Sequence, residues 1–136
     1  MEHTIKIFHW LPRVLAILAI GFISLFALDA FNPELPLGKQ FLDFLMHMIP
    51  SFVLILVLLL AWKKEVIGGI IFIIIGLAFT PWVFQHNYQM NQSVGMTISI
   101  VAMISLPFVV IGILFLISHR FKKINPDADQ QQVKHE

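Results

Sequence analysis

"LLLAWKKEVIGG", residues 58–69, decides the fold. Three charged residues, Lys63, Lys64 and Glu65, separate two apolar blocks at residues 44–62 and 66–84. A helix rising ~1.5 Å per residue crosses a ~30 Å hydrocarbon layer in about 20 residues, so each block suffices for one span. With only "KKE" between them, the two helices must form a tight antiparallel hairpin turning at the membrane surface. Two further apolar blocks, at residues 14–31 and 98–117, have the same character. None shows the alternating polarity of a membrane β-strand, and in lipid a helix satisfies its own backbone groups. The whole chain agrees: 136 residues, 58% hydrophobic, 12% charged, mean hydropathy +0.85, well outside the range of a soluble domain. The expected fold is all-α, an integral membrane bundle of four transmembrane helices. Residues 1–120 form that domain, and residues 121–136 a polar, solvated tail.

Lys and Arg set the orientation. Lys6, Arg13, Lys63, Lys64, Arg120, Lys122, Lys123 and Lys134 fall on one side of the four blocks, and only Lys39 on the other. Both termini are therefore expected in the cytoplasm, with residues 32–43 and 85–97 as outer connections. Trp10 and Trp62 mark the inner interface, Trp82 and Tyr88 the outer one. The first block competes with a signal-peptide reading, but it is long for one, and "LDA" would put an acid just before the cleavage point. The chain has no cysteine, which removes disulfides and thiolate chemistry.

Small residues let helices approach closely in lipid. Ala16, Ala19, Ala27 and Ala30 recur on one face of the first helix, with Ile23 between them, while Gly69 and Gly76 lie a heptad apart on the third with Gly68 beside them. These positions are expected to form helix seams. Pro50, Pro81 and Pro107 each remove a backbone donor inside a span.

A polar layer is expected near the outer interface. Asp29 lies 16 residues beyond Arg13, and His47 lies 16 residues from Lys63 on the antiparallel neighbour, so both stand ~24 Å from the inner boundary. Counting along the other helices brings Thr80 and Ser105 to that level, with Asp43 one turn from His47. An Asp29–His47 hydrogen bond would offset part of the desolvation of both groups. The same residues suit a proton relay, and His47, Asp43, Asp29 and His86 are weak candidates for metal ligands, without a compact ligand signature. Asp43, His47 and Ser51 line up along one helix, where they point in parallel and do not converge as a hydrolase triad must. No pair of histidines lies deep enough for a haem, and no cofactor is expected.

"FISLFALDAF", "HMIPSFVLILVLLLAWKKEVIGG" and "IGILFLIS" together resemble a family of short bacterial four-helix membrane proteins classed as a domain of unknown function. The resemblance runs from about Arg13 to Ser118, and its motif maps onto Asp29, His47, Pro50, Trp62, Glu65, Gly68 and Gly69. It implies a multi-pass protein of the bacterial cytoplasmic (inner) membrane and brings no activity with it. Small multidrug exporters, which carry a Glu in the middle of their first helix, differ from this chain, whose first-helix acid stands near the outer end.

The function expected on these grounds is a non-enzymatic accessory or scaffold protein with Asp29 and His47 clamping helices one and two. Its partners are the lipid bilayer and a larger membrane protein or further copies of itself, not nucleic acid. The alternative is a proton- or metal-linked small transporter using the same pair.

Overall fold

The computed structural model describes residues 2–124, with side chains from Lys6 onward. Of the expected tail, residues 121–136, the first four belong to α4, and residues 125–136 lie outside the described residues. Four helices follow one another: α1 (Glu2–Leu25), α2 (Leu37–Lys63), α3 (Glu65–Asn91) and α4 (Val94–Ile124), with a 3-10 turn at Phe26–Ala30 after α1. All four are long and apolar enough to cross a membrane, the first counted from Lys6 to Ala30 through the 3-10 turn. The chain folds as an all-α bundle of four candidate membrane spans.

The second, third and fourth helices each outrun their apolar blocks. At 27 and 31 residues, α3 and α4 are ~40 and ~46 Å long, more than a ~30 Å hydrocarbon layer requires. Hydropathy marks where lipid begins and ends, whereas i to i−4 hydrogen bonding continues into polar sequence. The connection expected over residues 85–97 is thereby reduced to Gln92 and Ser93. Gln92 adopts the left-handed conformation (φ 52°) and donates its N–H to the Tyr88 carbonyl, which closes α3. Ser93 opens α4 by accepting the Met96 N–H at 3.4 Å. The first connection keeps its expected loop character, because Pro33 and Pro36 resist helix and α2 starts only after Pro36. The first span also departs from expectation: regular α-helix stops at Leu25, and Asp29 sits on the 3-10 turn.

Between α2 and α3 only Lys64 is non-helical, and it donates its N–H to Leu60 O. This is the hairpin that the "KKE" turn demands. Gly68 lies against Ala61 across it so closely that any Cβ would overlap the Ala61 side chain and backbone. On the side of α3 that faces α4, Gly69 meets Gly112 backbone to backbone, and Gly76 abuts Val109 and the Ser105 carbonyl. These contacts follow from the lipid setting, where close van der Waals approach replaces the hydrophobic effect as the force between helices. α3 and α4 form the most extensive pair, α1 packs on α4, and Ala16 and Ile20 of α1 belong to the buried core. Ala27 and Ala30 are buried as well, while Ala19 is half-buried. Phe108, Phe72 and Phe115 stack nearly parallel through the centre, with centroids 6.4 and 6.0 Å apart. The Arg13 guanidinium caps this column 5.8 Å above Phe115.

Candidate functional site: a buried charge cluster

Antiparallel packing brings the start of α3 and the end of α4 to one end of the bundle. The helix dipoles there favour an acid on α3 and bases on α4, and the chain supplies Glu65 in the first turn of one and Lys122 in the last turn of the other. Glu65 is 7% exposed, and Arg13 of α1 only 2%. Arg13 Nη2 donates to Glu65 Oε1 at 2.9 Å, Lys122 Nζ lies 3.2 Å from the same oxygen, and His9 Nδ1 lies 3.6 Å from it. Ser118 Oγ adds a contact at 3.4 Å. His9 and Arg13 are one turn apart on α1, as are Ser118 and Lys122 on α4, so each helix presents an i, i+4 pair to one carboxylate.

Arg13 Nη1 folds back to donate to the His9 carbonyl. Two buried atoms of the cluster, Arg13 Nε and Glu65 Oε2, have no hydrogen-bond partner among the described residues. Three helices are thus joined through one carboxylate, while Phe8 and Phe121, 5.0 Å apart, close the α1–α4 seam beside it.

The expected outer layer is not assembled. Asp29 is exposed on the 3-10 turn and His47 is exposed on α2, and no ion pair or hydrogen bond joins them among the described residues. The His47 ring Nδ1–H instead donates to the Asp43 carbonyl at 2.8 Å. Thr80 donates back to Gly76 O at 2.9 Å, and Ser105 is buried beside Gly76 with no partner for its hydroxyl among the described residues. His86 is exposed and stacks on Trp82, 5.8 Å between centroids. Among the described residues, no three His, Asp or Glu groups come together as a metal site, so His47, Asp43, Asp29 and His86 do not converge. A helix rotation of a few tens of degrees is enough to separate groups that share a depth. The polar tie between α1 and α2 lies deeper, where the Ser24 and Ser51 hydroxyls are hydrogen-bonded at 3.0 Å. Ser51 therefore engages α1 rather than its own helix.

In the sequence, Arg13, Lys63 and Lys122 served only as markers of membrane depth and topology, and His9 was not singled out. The available signal was Glu65 itself. It is a lone acid between two lysines and a glycine pair, at the basic end of a chain with very few charges.

Fold and site together define a multi-pass membrane helical bundle pinned at one end by a buried ion cluster. The chain belongs to the family described as "Domain of unknown function (DUF7670)", whose model matches residues 1–127, and so includes both Glu65 and the whole bundle. No curated protein and no solved structure matches it.

Proposed function

We propose that the chain is a small non-enzymatic accessory or scaffold protein of the bacterial cytoplasmic membrane, with both termini in the cytoplasm and a larger membrane protein or further copies of itself as partner. The observation that carries this reading is the Glu65 cluster. Its buried charges, shared among α1, α3 and α4, serve to hold helices together, as do the Ser24–Ser51 pair and the glycine contacts. Less than a third of each span is buried within the bundle, which leaves long apolar faces for lipid or a membrane partner. The orientation rests on Lys63, Lys64, Arg120, Lys122 and Lys123 standing at the terminal end, against Lys39 at the other. Asp29 and His47, both exposed and not paired with one another, lend no geometric support to a relay.

Flux assays on purified protein in liposomes test the reading. Proton and divalent-cation flux should equal that of protein-free vesicles, and cysteines introduced at residues 2 and 124 should be labelled only from the cytoplasmic side. A saturable, pH-gradient-driven flux abolished by Asp29→Asn would replace the scaffold by a transporter.

A further inference from the structure

Beside the charge cluster, where α2 turns into α3 and the last turns of α4 pass, a cleft of about 410 Å³ opens at the surface. Its walls carry Trp62, Lys63, Lys64, His119 and Lys122, with Glu65 among them. We propose that this cleft binds the headgroup of an anionic phospholipid.

Charge is the first argument. Three lysines line a cleft whose single carboxylate already serves Arg13 and Lys122, and among the described residues neither Lys63 nor Lys64 has an ion-pair partner. The cleft is therefore electropositive, and an anion entering it meets lysines on two sides. The start of α3 contributes in the same sense. No side chain among the described residues caps it, and the amides of its first turn, from Glu65 to Ile67, carry the partial positive charge of a helix N-terminus. Position selects lipid as the source. The cleft sits where an apolar span meets the "KKE" turn, with exposed Trp62 at its rim as an interfacial aromatic would stand, and basic pockets at such levels suit anionic headgroups.

Titration of the delipidated full-length protein by native mass spectrometry tests this, with short-chain phosphatidylglycerol, phosphatidylcholine, diacylglycerol and inorganic phosphate as separate probes. Phosphatidylglycerol should bind in preference to the others, and raising the salt concentration should weaken it. Lys63→Ala/Lys64→Ala should reduce its affinity roughly 10- to 30-fold, in line with the contribution of two juxtamembrane lysines. Both lysines are exposed, so the variant should keep the wild-type thermal midpoint in lipid-free detergent. Lys39→Ala, at the opposite end, should bind as wild type does. Equal binding of phosphatidylglycerol and diacylglycerol, or unchanged affinity in the double variant, would overturn the site. Displacement of the lipid by millimolar inorganic phosphate would overturn lipid as its source. The outcome does not depend on the accessory role, because a transporter could hold the same lipid and would be recognised separately by its flux.

Discussion

The two ends of this bundle use charge in opposite ways. At the terminal end Glu65, Arg13, Lys122 and His9 converge within 3.6 Å, and the acid and the arginine are almost wholly buried. At the loop end Asp29 and His47, one on a 3-10 turn and the other on α2, are exposed and separate. The acid that interrupts an apolar run attracts notice, and the acid in a charged turn does not. The structure gives the internal role to the second. Depth alone does not make two side chains meet. Antiparallel packing of α3 on α4, which sets the start of one beside the end of the other, brings charges together far more dependably.

That contrast predicts a ranking of substitutions, each read by unfolding of the purified protein in detergent. Arg13→Ala should be the most damaging, costing about 3–5 kcal/mol, because it leaves a buried carboxylate without its closest partner. Adding Glu65→Ala to it should recover part of that loss, a non-additivity that marks a direct pair. A loss below about 1 kcal/mol for Arg13→Ala would erase the distinction between the ends, since it would match an exposed pair. Gly68→Ala should follow at about 1–3 kcal/mol, because the new methyl must push α2 from α3 just above the cluster. Next comes the hydroxyl tie: a Ser24→Ala and Ser51→Ala cycle should give a coupling of about 0.6 kcal/mol, typical of hydrogen bonds between membrane helices. Asp29→Asn and His47→Ala should come last, each within about 0.5 kcal/mol of wild type and additive in combination. Strong coupling between those two would restore the clamp at the loop end.

Much of the fold was legible in the sequence, and the reason is local. Spans, helical form and the α2–α3 hairpin depend on properties that each segment carries alone, namely its run of apolar residues, its length and the three residues of "KKE". Ala16, Ala27, Gly68, Gly69 and Gly76 could be singled out on similar grounds, since small residues at helical spacing in lipid imply close neighbours. Helix ends were less legible. The polar run "QHNYQMN" leaves the apolar region without leaving α3, because hydropathy measures solvent preference and the backbone's hydrogen bonding does not.

The site is another matter. Nothing local distinguishes Arg13 as an internal ligand from Arg13 as a topological marker, or tells His47 that its neighbour is the Asp43 carbonyl and not Asp29. Those assignments depend on how far each helix is rotated about its axis and on where α1, α3 and α4 end relative to one another. Rotation and stagger are set by the glycine contacts and the Phe72, Phe108 and Phe115 column, which join residues far apart in the chain. The sequence by itself determined that four helices are long and apolar enough to cross a membrane and which two are tied in a hairpin. Only the tertiary structure decided which charges are buried together, because that choice is made by the packing of distant faces.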